Sequence, residues 1–414
     1  MKLMRFLRDR RGSIAPVIAG AAIPIVAVIG AAVDYGRANS LRASMQSALD
    51  STALAMTKNA MAAASPEQFT VDATAYFNAI LKRPEAQGLR VTAHYASTPS
   101  PTIVVNATAN IKTMFLNAPG IGIPRIDVAA TATTSWSNAR LRVALALDNT
   151  GSMADNGKMA ALKTATHNLL NQLQAAASKP EDVYVSIIPF SKDVNAGVPH
   201  TTSWVDFTEW DKKNGKQNNG VWVPKSHDNW NGCVMDRDQN YDVNNTAPTA
   251  GNNSSKFPAE QYSNCPVALL PLTFDWTALH TRVNEMYPAG NTNQTIGLQW
   301  AWQSLTQTDP LNAPAKDPNY AYKDIIILLT DGLNTENRWS QTSSSVDKRT
   351  QKVCDNVRSA GITLYTVLVT AGNATLLKGC ATDTTKYFAL TTADQLITAF
   401  NAIGGQLTKL HLSK

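Results

Sequence analysis

The sequence predicts an α/β protein built around a central, mostly parallel β-sheet with helices on both faces. From Leu141 onward, short apolar runs alternate with amphipathic helical segments, the pattern of a sheet that is buried on both sides. An uncharged apolar segment near the N-terminus predicts one separate long helix, and a helix followed by three strands predicts a small α+β region between the two. A length of 414 residues allows two or three domains.

The apolar segment runs from Gly12 to Val33 and contains no charged residue. As a helix it would be about 33 Å long, enough to cross the hydrocarbon core of a membrane. We therefore expect residues 1–12 to be a basic cytoplasmic tail, residues 13–33 to be a transmembrane helix, and the rest of the chain to lie outside the cytoplasm. A cleaved signal peptide is the alternative, although the apolar run is long for one and no clear cleavage site precedes a polar mature start.

The net charge of +6 does not predict nucleic-acid binding, because most of it lies in the tail. The first eleven residues hold five basic residues and one acidic residue, which leaves only +2 for the rest of the chain. No domain is basic enough to follow a phosphate backbone. The tail residues are Lys2, Arg5, Arg8, Arg10 and Arg11, with Asp9 as the acidic one.

The chain has four cysteines, and none of them forms a C-x-x-C pair, so a zinc site or a redox motif is not expected. An even number in an exported chain predicts two disulfides. Pairing of sequence neighbours gives Cys233–Cys265 and Cys354–Cys380, one of three possible connectivities. Free buried thiols are the alternative.

The region between the apolar segment and Leu141 divides into two parts. Residues 34–64 are rich in Ala, Leu and Met, and they predict that the membrane helix continues outward as one long helix to about Ala64. Residues 65–138 predict a small α+β region, with a helix from Glu67 to Leu81 and three strands after it. In the middle strand, apolar residues alternate with mostly polar ones, so we expect this sheet to be covered on one face only.

The α/β domain is expected at residues 139–410, with an insertion at about 193–275 where the alternation of strands and helices lapses. A loop of this length without structure would be unusual in a compact domain, so we expect a folded insertion with buried tryptophans, held by Cys233–Cys265. Within it, Asp236, Asp238, Asn240 and Asp242 stand at alternate positions but lack the Gly and Glu of a calcium loop. We expect them to form a solvated polar loop.

Candidate functional residues follow the apolar strands, where ligands of parallel sheets bind. Asp148 and Asp331 each end a strand, Thr150 and Ser152 lie just after the first of them, and Thr292 lies in a loop before a helix. Two carboxylates and three hydroxyls are hard oxygen ligands that suit Mg2+, with Mn2+ or Ca2+ as alternatives. Hydroxyl ligands add no negative charge, so such an ion would readily accept a carboxylate from a partner protein. Thr295 is the rival to Thr292.

These motifs carry a resemblance. D-x-T-x-S after a buried strand, G-x-T before a helix and T-D-G after a later strand resemble the metal-ion-dependent adhesion site of von Willebrand factor type A domains, whose fold is Rossmann-like. The resemblance implies direct coordination by Thr150 and Ser152. It implies direct or water-mediated coordination by Thr292, and coordination mostly through water by Asp148 and Asp331. Thr150 replaces the usual first Ser and keeps its hydroxyl.

The whole layout resembles TadG-type proteins of the tight-adherence (Flp) pilus assembly system of bacteria. It combines a basic tail, one apolar helix, an Ala-rich helix containing "MQSALDSTALAM" and a type A domain. This resemblance implies a single-pass inner-membrane protein with its bulk in the periplasm, whose partners are pilus or pilus-assembly components. Related pilin segments are cut after a Gly and carry Glu at the fifth mature position. Here Val17 stands at that position after Gly12, which favours a retained anchor.

Two other functions compete with this one. A surface adhesin would bind host or matrix ligands through the same metal site. A hydrolase is disfavoured because no His lies in the motif loops, Ser152 has no G-x-S-x-G context, and no Walker A or G-x-G-x-x-G motif occurs. We therefore expect a binding protein and not an enzyme.

Overall fold

The computed structural model describes residues 15–57, 65–96, 102–118, 121–135, 139–177 and 179–412. The predicted basic tail at residues 1–12 and the end of the predicted long helix at residues 58–64 lie outside these ranges. The chain divides into two compact units, one that ends at Ser137 and one that begins at Asn138.

The first unit opens with a long helix, α1, Ala15–Met56. The described part of the chain contains one helix long and apolar enough to cross a membrane, and it is this one. Its first half exposes apolar side chains: Ile18, Ile25, Val26, Val28, Ile29 and Val33. Its second half buries Leu41, Met45 and Leu49 at helical spacing, so the two halves face different surroundings.

Helix α1 is described to Met56, and its predicted end near Ala64 lies outside the described residues. The Thr57 hydroxyl donates a hydrogen bond to the carbonyl of Leu54 (2.8 Å), and the Thr57 N–H bonds the same carbonyl (3.3 Å). At Thr57, a bond to the third residue back therefore replaces the helical bond to the fourth residue back.

The rest of the first unit is helix α2, Pro66–Ile80, and a three-stranded antiparallel sheet in the order β1-β2-β3. The strands are β1, Gln87–Ala96; β2, Thr102–Lys112; and β3, Arg125–Ser135. In β2 the residues Ile103 and Val105 are buried against α1 and α2, whereas Val104 and Asn106 on the other face are half-buried. The sheet is therefore covered on one face, as its alternation predicted.

The second unit is the predicted α/β domain. Its sheet has the order β10-β6-β5-β4-β13-β14-β15, with β12 added beside β5. The strands from β5 to β15 along this path run parallel, and β6 and β12 run antiparallel to β5. The bounds are β4, Arg140–Asp148; β5, Val183–Phe190; β6, Val194–Asn195; β10, Cys233–Val234; β12, Leu270–Thr273; β13, Tyr322–Thr330; β14, Thr363–Val369; and β15, Tyr387–Leu390.

Helices cover both faces of this sheet, which confirms the predicted architecture. In β4, Val143, Leu145 and Leu147 join the core under one set of helices, and Ala144 and Ala146 join the core under the other. The first set is α3, Lys158–Ala176; α5, Trp276–Glu285; and α9, Gln395–Leu412, and the second includes α6, Gln294–Ser304; α7, Ser343–Ser359; and α8, Ala374–Cys380. (The helix α4 belongs to the insertion.)

Two of these helices, α7 and α8, are absent from the sequence prediction. Helix α7 is mostly polar, and it buries Val346, Val353, Cys354 and Val357 along one narrow stripe. These four residues recur at helical spacing, but the rest of the segment is polar, so the segment does not stand out as an apolar run. In the fold, this stripe packs against one face of the sheet, and that contact stabilises the helix.

The insertion is folded and held by a disulfide, as predicted. Both disulfides form between sequence neighbours, Cys233–Cys265 and Cys354–Cys380. The insertion contains α4, Thr208–Lys213, and the short strands β7, Val205–Asp206; β8, Gly215–Asn218; β9, Val221–Pro224; and β11, Phe257–Pro258. Trp204 and Trp210 are buried as expected, whereas Trp222 is 38% exposed.

Candidate metal-binding site

Asp148 and Asp331 meet at one edge of the sheet because β4 and β13 are parallel neighbours. Leu147 in β4 lies opposite Leu329 in β13, and each strand ends within two residues of that pair. The chain then leaves both strands on the same side, which is where ligands of such sheets bind. Both aspartates are buried.

The Asp148 carboxylate is held by two donors. The Thr150 N–H donates to Oδ1 (2.8 Å) and the Thr330 hydroxyl donates to Oδ2 (2.6 Å). Burial, together with the charge of Asp331, raises the pKa of Asp148 to about 6, against the lowering effect of these hydrogen bonds. A positive ion beside Asp148 would favour its charged form.

Thr150 and Ser152 connect the two aspartates. They lie where β4 passes into a 3₁₀ segment, Gly151–Gly157, and their hydroxyl oxygens are 3.2 Å apart. The Ser152 hydroxyl donates to Asp331 Oδ1 (2.6 Å). Four of the five predicted residues therefore belong to one network of side-chain oxygens.

Thr292, the fifth residue, comes from a third loop. Hydrogen bonds of its backbone join it to the loop after Asp148 and to the loop after Asp331. The Gly151 N–H donates to the Gly290 carbonyl (2.9 Å), and the Ala289 N–H donates to the Asn149 carbonyl (2.7 Å). On the other side, the Thr292 N–H donates to the Thr335 hydroxyl (2.8 Å) in the loop after Asp331. The Thr292 hydroxyl itself has no hydrogen-bond partner among the described residues, although the residue is only 4% exposed.

Thr295, the rival to Thr292, has another role. It is fully buried in α6, and its hydroxyl lies 2.8 Å from that of Thr350 in α7. This contact joins two helices inside the core, which leaves the Thr295 hydroxyl occupied.

Lys158 is a site residue that the sequence prediction missed. It is the first residue of α3, it is buried, and its ammonium lies 2.7 Å from Asp331 Oδ2. It also donates to the Ser152 carbonyl (3.2 Å). The signal in the sequence was a lone lysine between "DNG" and an apolar helix. One positive charge thus accompanies the two carboxylates.

The residues fit a hard divalent cation. Among the described residues no three His, Cys, Asp or Glu side chains cluster as a metal site would require, so a site here depends on hydroxyl oxygens. The network supplies these, together with an aspartate whose pKa burial and a like charge raise to about 6, and with the hydroxyl of Thr292, which has no hydrogen-bond partner among the described residues. Such a donor set suits Mg2+, which keeps several waters and tolerates few protein charges.

The insertion supports two of the three loops through Asp236. This carboxylate accepts from the Asn293 side chain (2.8 Å), next to Thr292, and from the Arg338 N–H (3.2 Å) in the loop after Asp331. The pKa of Asp236 is raised to about 7, and burial is the main cause. The expectation of a solvated loop was wrong here: Asp236 and Asp242 are 3% and 2% exposed, because Asp242 pairs with Arg349 and Asp236 joins the two loops.

Two protein families match the sequence. The family described as putative Flp pilus-assembly TadE/G-like matches residues 12–63, and the von Willebrand factor type A domain family matches residues 240–402. The second match includes Thr292 and Asp331 and begins after the loop of Asp148. No curated protein gave a significant match.

Several solved structures are similar in fold at low identity. Proximal thread matrix protein 1 from the mussel byssus is 12% identical, covering 65% of this chain and 46% of its own, with a TM-score of 0.36. The pilus adhesin SpaC from Lactobacillus rhamnosus GG is 14% identical, covering 79% and 35%, with a TM-score of 0.39. This chain thus spans less than half the length of both.

The vWF domain of the type V pili tip protein Mfa5 from Porphyromonas gingivalis is 11% identical, covering 67% of this chain and 97% of its own, with a TM-score of 0.41. Similarities at this level carry no information about the ligands or partners of this chain.

The two family matches occupy different parts of the chain, in the order that the sequence predicted. The TadE/G-like match contains the whole of helix α1, and the type A match includes α6, β13, α7, β14 and β15. The chain therefore joins a TadE/G-like N-terminal region to a von Willebrand factor type A domain, a combination consistent with a TadG-type pilus assembly protein.

Proposed function

We propose that this chain is a membrane-anchored, extracytoplasmic protein of tight-adherence pilus assembly that binds a protein partner through a divalent cation. Asp148, Thr150, Ser152, Thr292 and Asp331 would hold the cation, Mg2+ first, with Mn2+ or Ca2+ as substitutes. The observation that carries the proposal is the network at the sheet edge, where three loops are bonded together around two aspartates and three hydroxyls.

The cation would supply an electrophilic position for a carboxylate of the partner. The protein's own residues provide the rest of the site. Thr330 and the Thr150 N–H orient Asp148, Ser152 orients Asp331, and Asp236 holds the loop of Thr292. This proposal makes the site a binding site, in keeping with the lack of His in the motif loops.

Membrane anchoring by residues 13–33 and a periplasmic position for the remainder belong to the same proposal. Two features support them. The first half of α1 exposes apolar side chains, and both cysteine pairs form disulfides, which persist in oxidising compartments.

The first test is metal-dependent stability of the full chain in detergent. After treatment with EDTA, Mg2+ or Mn2+ should raise the melting temperature, and Asp148→Ala should abolish the rise. Asp155→Ala is the matched control, because Asp155 is exposed and lies in the 3₁₀ segment that follows Asp148. A wild-type chain that gains no stability from either ion would refute a working site.

The second test identifies the partner. A photo-crosslinking amino acid at Leu333, which is 51% exposed two residues after Asp331, should capture a pilus or pilus-assembly component in cells in the presence of Mg2+. The same probe at Lys179 is the control, because Lys179 precedes the first residue of β5 and so lies at the edge of the sheet opposite the site. Capture of external host or matrix protein alone would favour the adhesin alternative.

A further inference from the structure

The loop between β2 and β3 carries exposed apolar side chains beside the apolar half of α1. Met114 is 68% exposed, Phe115 43%, Ile121 41% and Ile123 45%. Scattered single apolar residues are normal on a surface, but four in one loop form a patch. This loop is part of the first unit, which also contains α1.

The loop is attached to α1 at the point where the apolar segment ends. The Asp34 carboxylate accepts hydrogen bonds from the backbone N–H groups of Met114 (2.9 Å), Phe115 (2.8 Å) and Leu116 (2.8 Å). Asp34 directly follows Val33 and is 1% exposed. Three charge-assisted bonds to one buried carboxylate fix the height of the loop along the helix.

Phe115 packs below that point, against Gly30. A Cβ atom at Gly30 would lie 2.5 Å from the Cβ atom of Phe115, so only glycine permits this contact. Gly30 precedes Val33 by three residues, so Phe115 lies about 4.5 Å inside the end of the apolar run at about 1.5 Å per residue. This depth agrees with the boundary between headgroups and acyl chains, about 5–10 Å deep, where apolar side chains of peripheral segments bury.

The loop is internally bonded, so its side chains are presented by a fixed backbone. The Thr113 hydroxyl donates to the Ile123 carbonyl (2.5 Å), and the Ile123 N–H donates to the Leu116 carbonyl (3.0 Å). A fixed loop loses little conformational entropy when it buries its apolar side chains.

Basic side chains stand where the loop joins its strands. Lys112 and Arg125 are exposed partners in register at the ends of β2 and β3, and Arg37 donates to the Lys112 carbonyl (3.3 Å). Apolar side chains at the tip with basic ones at the base are the arrangement of segments that bind anionic membrane surfaces, because the long basic chains reach the headgroups.

We infer that the β2–β3 loop inserts its apolar side chains into the outer surface of the membrane that α1 crosses, as a second contact beside the anchor. The occupant is a phospholipid bilayer with anionic headgroups. Continuity of the loop with the exposed apolar face of α1 favours lipid over a second protein. The inference rests on the proposed membrane anchoring, so its test must separate the two.

The test uses the full chain in vesicles that contain phosphatidylethanolamine and phosphatidylglycerol. All four native cysteines are in disulfides, so a single new cysteine accepts a fluorescent label selectively. The label goes to Met114→Cys in the loop, to Val28→Cys in the anchor, or to Val71→Cys as the matched control. Val71 is 59% exposed on α2 of the same unit. Lipids with a quencher near the top of the acyl chain report contact.

We expect quenching of the label at Met114→Cys several times greater than at Val71→Cys, and quenching at Val28→Cys as well. Quenching at Val28→Cys with none at Met114→Cys overturns the loop contact and leaves the anchor intact. No quenching at either position overturns the anchor together with the loop contact. A label at Met114→Cys that is shielded from water but insensitive to the lipid quencher would assign the loop to a protein partner and overturn the inference.

Discussion

The ammonium of Lys158 lies 2.7 Å from Asp331 Oδ2, within the network of oxygens that forms the candidate cation site. Lys158 is the first residue of α3, and Asp331 follows β13, so the pair joins two elements that are distant in sequence. A positive side chain at this place balances one of the two carboxylates, and a cation that enters must compete with it.

We therefore expect Lys158→Met to strengthen binding of Mn2+ or Mg2+ by about tenfold, which corresponds to about 1.4 kcal/mol of lost competition. The methionine keeps the length of the buried stem and removes the charge. Titration calorimetry on the full chain in detergent measures the change. Lys163→Met is the matched control on the same helix, since Lys163 bonds the Asn284 carbonyl away from the site. Weaker binding in Lys158→Met alone would mean that Lys158 holds the site together.

Thr292 and Thr295 should differ sharply when their hydroxyls are removed. Thr292→Val should weaken metal binding at least tenfold, because its unpartnered hydroxyl is a candidate ligand. Thr295→Val should leave metal binding unchanged and lower the melting temperature, because its hydroxyl contacts Thr350 in the core. The two valine variants have the same shape change, so each controls the other. An equal loss of metal binding in both variants would contradict the separate roles of Thr292 and Thr295.

The pH dependence of stability should report Asp236. Its native pKa of about 7 exceeds the ordinary value of 3.8, so between these values the native state binds more protons than the unfolded state. The stability from the protonated group is complete below pH 3.8 and is lost as the pH rises through about 7. With EDTA present, Asp236→Asn should flatten this slope and raise stability at about pH 8 by on the order of 4 kcal/mol.

Melting temperatures of the wild type and Asp236→Asn across about pH 5 to 8 measure this effect. The asparagine oxygen still accepts bonds from Asn293 and Arg338, which separates loss of charge from loss of contact. Asp394→Asn is the control, because Asp394 is exposed and distant in sequence from the loops that Asp236 joins. If the melting temperatures of the wild type and Asp236→Asn changed with pH in the same way, the raised pKa of Asp236 would be contradicted.

The disulfide Cys354–Cys380 should stabilise the second unit. It joins α7 to α8 and closes a segment with a sequence separation of 26 residues, for which chain entropy predicts about 3–4 kcal/mol. The double variant Cys354→Ala, Cys380→Ala should therefore melt about 10 °C lower. Reductant provides the control: it should lower the melting temperature of the wild type more than that of the double variant. An unchanged melting temperature would show that the helices hold without the bond.

Much of the architecture could be predicted because its signals are local. The apolar runs of β4 and β13, the alternation in β2 and the uncharged start of α1 are each visible within about ten residues, since burial on one or both faces imposes its own period. Helix α7 was missed because most of its residues are polar, although its buried residues recur at helical spacing.

The sequence by itself determined the order of the elements, the apolar N-terminal helix and the five candidate oxygen donors. Strand ends and hydroxyl motifs depend on residues that are close together in sequence, so they can be recognised without the fold. Only the tertiary structure decided which groups surround them. It placed Lys158 against Asp331, buried Asp236 between two loops and bonded Asp34 to the loop of Phe115. Such contacts join residues that are far apart in sequence, and their charges and hydrogen bonds exist only once the chain has folded.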